Sequence, residues 1–202
     1  MKQNAAASIG RPREFDRDAA LRVAMKLFSK YGYEGVSISD LTRAIGIVPT
    51  SLYAAFGNKE KLYRETLALA LKRPNLAYWK QDCSVRAWIF ELLREAVRDA
   101  IDPEFPGRMV TIGMLSCGAE YGALAEMVSE VRARNCEKIR AYLARAMTRG
   151  ELPADTNTLA LSRYLMALMQ GIAIQAHDGA TSEELLAIVD VAIPCFLLPK
   201  NR

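Results

Sequence analysis

Apolar positions recur at three- and four-residue steps along nearly the whole chain. Over residues 16–31 they are Ala20, Leu21, Ala24, Leu27, Phe28 and Tyr31, the spacing of an amphipathic helix and not of a strand. Asp16 stands where an N-cap belongs, and Gly32 where a left-handed residue ends a helix. Ser37, with Asp40 three residues on, predicts a capping box that opens a short helix over 38–45. Leu41, Ala44 and Ile45 give that helix its face, and Gly46 ends it. Pro49 suits the first position of a third helix, which carries Thr50, Ser51, Leu52, Tyr53 and Ala54 and breaks at Gly57. Asn58 caps a fourth helix that starts at Lys59 and stops near 71–73, ahead of Pro74.

Longer helices follow. One covers 84–101, with Trp88, Leu92, Leu93, Ala96 and Val97 inward. A turn-rich break at 102–107 precedes a short apolar segment at 109–117. A long helix is expected over 120–149, stopped by Gly150 and Pro153, and another from an Asp155 cap to about His177. Thr181 and Glu184 predict a capping box for the last helix, with Leu185, Leu186, Val189, Ala192, Ile193 and Phe196 along one side. No alternating strand pattern and no internal repeat occurs. The expected fold is all-α: a three-helix helix-turn-helix unit at the N-terminus over residues 1–58, and a helical body over 59–202.

Composition narrows the function classes. A chain of 202 residues that is 51% hydrophobic and 25% charged has the make-up of a folded protein. Its single histidine, His177, cannot build a multi-histidine metal site or a proton relay, and at a helix end it reads as a C-terminal cap. Cys83, Cys117, Cys136 and Cys195 contain no CxxC pair. No metal and no other cofactor is therefore expected, and no catalytic set is recognisable. The first ten residues lack an apolar signal core. The longest uncharged run near the C-terminus, 164–176, has 13 residues, against about 20 for a membrane span. A cytoplasmic protein without a membrane partner is expected. The charge is uneven: residues 1–73 hold 13 Lys and Arg against 7 Asp and Glu, whereas the remaining 129 hold 14 against 16. A basic front on a slightly acidic body suits a polyanion partner for the front.

The pair of short helices at 38–45 and from Pro49, joined by Gly46, Ile47 and Val48, has the layout of a helix-turn-helix. In such a unit the second helix enters the major groove and the first crosses the backbone. Leu52 points inward and Phe56 seals the core, which leaves Pro49, Thr50, Ser51, Tyr53 and Ala54 for DNA. Small hydroxyl and methyl groups there reach base edges, and the Tyr53 hydroxyl reaches a phosphate. Lys59, at the start of the next helix, combines an ammonium with a helix N-terminus. Ser39 and Arg43 of the first helix complete the candidate surface, and Arg11 and Arg13 form an arm suited to the minor groove.

Residues 32–41, Gly46-Ile47, and the run Ser51-Leu52-Tyr53-Ala54-Ala55-Phe56-Gly57-Asn58-Lys59-Glu60-Lys61-Leu62 together resemble the N-terminal domain of the TetR/AcrR family of bacterial transcriptional regulators. The resemblance covers about residues 12–63. It implies a homodimeric repressor that binds a palindromic double-stranded DNA operator, with a small effector in the body changing the separation of the two heads. Three positions depart from the family's pattern: Val36, Val48 in place of a small polar cap, and Ala55 in place of a phosphate-contacting residue. Pro49 offsets the second by pre-setting the backbone.

In the body, Trp88, Phe105, Met109, Ile112, Met114, Cys117, Tyr121, Met166, Met169 and Gln170 are the candidate effector-binding residues. Methionines are adaptable and aromatics make walls, although the same residues at helical spacing also build cores. Tyr164, Leu168 and Ile172 on one helix and Leu185, Val189, Ile193 and Phe196 on the last are candidates for a four-helix dimer bundle. The alternative readings are an activator, or a thiol-based sensor using Cys83 or Cys117.

Overall fold

The computed structural model describes residues 16–71, 83–102, 107–111, 114 and 118–196. Of the candidate residues, Arg11, Arg13, Phe105, Ile112 and Cys117 lie outside them. The described elements are α1 (Arg17–Tyr31), α2 (Ile38–Ile45), α3 (Pro49–Phe56), α4 (Lys59–Leu71), α5 (Val85–Ile101), α6 (Gly107–Thr111), α7 (Gly122–Thr148), α8 (Thr158–His177) and α9 (Ser182–Cys195). A 3-10 turn at Ala119–Tyr121 leads into α7. No strand occurs among the described residues, so the all-α expectation holds.

The helix ends form for the reasons the residues suggest. The Asp16 carboxylate accepts from the Ala19 N–H at 2.9 Å. Ser37 and Asp40 make a reciprocal capping box, with Asp40 N to Ser37 Oγ at 3.1 Å and Ser37 N to Asp40 Oδ2 at 3.0 Å. Thr181 and Glu184 repeat that arrangement at α9. The Ser84 hydroxyl caps α5. One cap differs from expectation: Asn157, not Asp155, opens α8, its Oδ1 accepting from the Ala160 N–H at 3.0 Å. Two faces also differ. On α2, Ala44 is exposed while Thr42 is buried. The Thr42 hydroxyl bonds the carbonyls of Ile38 and Ser39, which lets a polar residue take an apolar place. On α1, Tyr31 lies outside, with Lys30 over its ring at 4.9 Å, and Met25 is buried instead.

Two cores result. The first gathers Leu21, Ala24, Phe28, Leu41, Leu52, Phe56, Leu62, Tyr63 and Leu67 from α1–α4, and extends to Met109 on α6 and to Leu124 and Val128 on α7. The second joins α5, the latter part of α7, α8 and α9 through Trp88, Leu92, Leu93, Tyr142, Leu143, Leu165, Ile172, Leu185 and Val189. Helix α7, with 27 residues, is about 40 Å long and enters both cores. The expected division between residues 58 and 59 therefore crosses packed structure: Leu62, Tyr63, Leu67 and Ala70 of α4 belong to the head core.

Candidate nucleic-acid interface

Helix α3 is anchored from one side. Leu52 is fully buried and Phe56 nearly so, at positions four apart that lie on one helical face. The remaining side chains are left outside: Pro49, Thr50 and Ala54 are exposed, Tyr53 is 46% exposed, and Ser51 is half-buried. The turn from α2 needs Gly46, which sits at φ 79°, ψ 35°, a left-handed conformation that a side chain disfavours. Its N–H and that of Ile47 both donate to the Thr42 carbonyl, at 2.9 and 3.0 Å. Val48 opens α3 with extended backbone and no side-chain cap. Pro49 takes the first helical position, where the lack of an N–H costs nothing. Val48 is itself 60% exposed. It therefore belongs to the outer surface, beyond its role as a departure from the usual cap.

On α2, Ser39 and Arg43 are exposed, with Arg43 Nη2 3.5 Å from Ser39 Oγ. Arg43 also lies 3.5 Å from the Asp40 carboxylate, a loose contact that leaves most of its side chain in solvent. The Ser37 hydroxyl and N–H hold the Asp40 carboxyl below its ordinary pKa. Lys59 differs from the rest. It is half-buried, with Nζ 4.3 Å from the centroid of the Tyr33 ring. Desolvation pulls its pKa down, and the nearby Glu34 carboxylate opposes that pull.

The head is tied to the body at the turn after α1. The Glu34 Oε1 atom accepts from the Gly118 N–H at 2.7 Å. The Tyr33 ring meets Tyr63 edge-on at 5.1 Å and Tyr121 at 5.0 Å. Arg64 on α4 pairs with Glu60 at 2.8 Å and donates to the Met127 sulfur on α7 at 3.3 Å. The sequence reading assigned no role to Tyr33, Glu34 and Gly118. Glu34 and Gly118 lie 84 residues apart in the chain, and no local pattern reports such a pairing.

A family model described as "Bacterial regulatory proteins, tetR family" matches residues 20–66. The HTH-type transcriptional repressor ComR of Escherichia coli (strain K12) is 31% identical over 191 residues, covering 92% of this chain and 91% of ComR. The chain belongs to the TetR family. Among solved structures of that family, the regulator CifR, in a cysteine-substituted form complexed with 26 bp double-strand operator DNA, shares 39% identity and a TM-score of 0.83. The alignment covers 93% of this chain and 100% of CifR. A TetR regulator from Chloroflexus aurantiacus J-10-FL, at 22% identity and a TM-score of 0.78 over 90% of this chain and 94% of its own, is alike in fold.

For the TetR-family body, the structure divides the candidate effector residues between the two cores. Trp88 is buried and stacks on Tyr142, with centroids 3.9 Å apart and planes 14° from parallel; Met166 and Met169 pack against that same core. Gln170 is half-buried on α8. Met109 is buried in the head-side core, against which Met114 and Tyr121 pack. Cys83 is half-buried, and its carbonyl accepts from the Tyr142 hydroxyl at 3.4 Å.

The candidate dimer residues separate as well. Ile172, Leu185, Val189 and Ile193 are buried within the chain's own second core. Tyr164, 43% exposed, stands at the surface against Phe196 at 5.4 Å. A shallow apolar groove on α8 and α9 is lined by Tyr164, Leu168, Ala187, Ile188 and Val191, with Glu184 at its edge. Val191 is 74% exposed. No helix among the described residues is long and apolar enough to cross a membrane.

Proposed function

We propose that this TetR-family transcriptional regulator is a cytoplasmic repressor that binds a palindromic DNA operator as a homodimer and leaves it when a small molecule binds the body. The observation that carries the reading is α3: Leu52 and Phe56 fix it from one side and Thr50, Tyr53 and Ala54 remain outside. That is the requirement for a helix that reads a major groove. Ser39, Arg43, Pro49, Ser51 and Lys59 flank it. Arg11 and Arg13 supply an arm for the minor groove. Phosphate contacts set the register and α3 reads base edges. ComR is named a repressor and CifR is complexed with operator DNA, which supports repression over activation.

Dimerisation uses the exposed apolar groove of α8 and α9. An aliphatic stripe there, centred on Val191 and Ile188, suits a two-fold mate in a four-helix arrangement. The effector site lies among Met166, Met169 and Gln170 on the body side, with Met109, Met114 and Tyr121 at the junction with the head. Effector binding favours a body conformation in which the heads no longer suit two grooves about 34–36 Å apart, a coupling of about 1–3 kcal/mol. Helix α4 transmits it, assisted by the contacts of Glu34 and Tyr33.

The test is titration of the purified dimer against palindromic fragments from beside its own gene at low salt. Specific binding that Tyr53→Phe or Lys59→Ala weakens evenly across sequences supports the proposal. Binding to no such fragment overturns it.

A further inference from the structure

Helix α3 has no basic residue in its own last turn. At its C-terminal end the Tyr53 carbonyl accepts from the Gly57 N–H at 2.8 Å and the Phe56 carbonyl from the Asn58 N–H at 3.0 Å, and a cation beside the last carbonyls is favoured by the helix dipole. Arg17, at the first position of α1, supplies that cation from 38 residues away. Its Nε donates to the Ala55 carbonyl at 3.3 Å. Its Cζ stands 4.6 Å from the Phe56 ring centroid. Its Nη2 donates to both carboxylate oxygens of Glu65 on α4, each at 2.7 Å. One guanidinium thus holds the C-terminal end of α3, the ring that seals its core face, and the helix that follows it.

We infer that Arg17 is a positioning residue for DNA reading: it fixes the roll of α3 against α4 and so sets where Thr50, Tyr53 and Ala54 point. This rests on the operator-binding reading above. Two apolar anchors, Leu52 and Phe56, hold an eight-residue helix to the core, but apolar contact is non-directional. The directional tie comes from Arg17, whose planar charged fork is pre-organised for several partners at once. The pair is half-exposed, at 45% and 37%, and such a pair adds little to overall stability. Its role is in orientation, and it couples the reading helix to α4 through a single carboxylate.

The experiment uses the full-length protein and a duplex enriched from a random pool by the wild type, with a scrambled duplex as control, titrated over a range of salt. Arg17→Ala is expected to weaken binding to the enriched duplex about 2- to 30-fold, the range for residues that act from outside the contact set. Binding to the scrambled duplex, the salt slope and the thermal midpoint stay close to wild type. Glu65→Gln shows a smaller loss of the same kind, and the double variant is no worse than Arg17→Ala, because the two act as one unit. Arg17→Lys keeps the charge but not the fork and also loses selectivity. Unchanged selectivity in Arg17→Ala and Glu65→Gln overturns the inference. So does an equal loss on both duplexes with the salt slope reduced by about 0.9, the mark of a direct phosphate contact, or a loss that disappears once normalised to folded protein. A wild-type chain that enriches no duplex overturns the operator reading itself, before any variant is made.

Discussion

The head and the body are built from the same amphipathic helices, yet they leave different things outside. In the head, Leu41, Leu52, Phe56 and Leu62 close a core, and the surface of α2 and α3 is polar or mixed: Ser39, Arg43, Thr50 and Tyr53 with Val48 among them. In the body, Leu165, Ile172, Leu185 and Val189 close a core equally well, but α8 and α9 still present Leu168, Ile188 and Val191 to the surface. A polar surface on a rigid short helix suits a hydrated, charged partner. An aliphatic stripe suits another protein surface. What the head's core pushes outward is the surface proposed above for DNA, and the apolar area in excess of what the body's own core needs is the surface proposed for a second copy.

The largest effects separate core from surface in both halves. Leu52→Ala is expected to cost about 2–5 kcal/mol in denaturant unfolding and to remove operator binding with it. Leu185→Ala, as deeply buried, costs a similar amount but acts on DNA only through the body. If Leu52→Ala leaves operator affinity intact, α3 is not the reading element. Next is Val191→Asp. A carboxylate placed without a partner in an apolar interface costs about 2–5 kcal/mol, so pairing through α8 and α9 predicts dimers for the wild type and monomers for the variant in sedimentation equilibrium. A variant that stays dimeric moves the pairing surface elsewhere on the body.

Smaller effects test the head surface. Tyr53→Phe removes one hydroxyl hydrogen bond to a charged acceptor, about 1.5–3 kcal/mol, evenly over operator sequences in a gel-shift titration. Lys59→Ala reduces the salt slope by about 1; an unchanged slope means that Lys59 makes no phosphate contact. Ser37→Ala, by loss of the cap of α2, costs about 1 kcal/mol by thermal unfolding. It also alters the acid limb. Asp40 has a folded pKa below its unfolded value because Ser37 bonds the carboxylate. That contribution is complete above about pH 4 and is lost as pH falls through the folded value. Ser37→Ala therefore flattens the acid dependence, and an unchanged acid limb assigns it to other carboxylates. Cys83→Ser is expected to change operator affinity by less than about twofold, as for a substitution away from core and contacts; a lost response to oxidant would revive the thiol-sensor alternative.

Much of the head was legible in the sequence because its signals are local. Asp16, Ser37 with Asp40, Gly46, Pro49 and Asn58 each fix a helix end within four residues, and the Leu52–Phe56 spacing declares which side of α3 is buried. The body was legible only in its helices. Ile172, Leu185 and Val189 share the periodicity of a face that pairs with a second chain, and periodicity does not say whether the neighbour is the same chain, a partner or a ligand. The same ambiguity separated Trp88, which packs on Tyr142, from Met109, which belongs to the head core. Contacts that join distant positions, such as Arg17 with Glu65 and Glu34 with Gly118, leave no mark in a local pattern. A polar residue that replaces an apolar one by bonding its own helix, as Thr42 does, is equally hidden.

The most direct test of the central claim is a salt-dependent binding titration of the full-length protein on a palindromic duplex from beside its own gene, against a scrambled duplex, with the stoichiometry read in the same experiment. Two chains per palindrome are expected, with affinity for the palindrome far above that for the scrambled duplex and a preference that Thr50→Ala and Tyr53→Phe diminish. Equal affinity for both duplexes, or a preference untouched by changes on α3, contradicts a regulator that reads DNA through that helix.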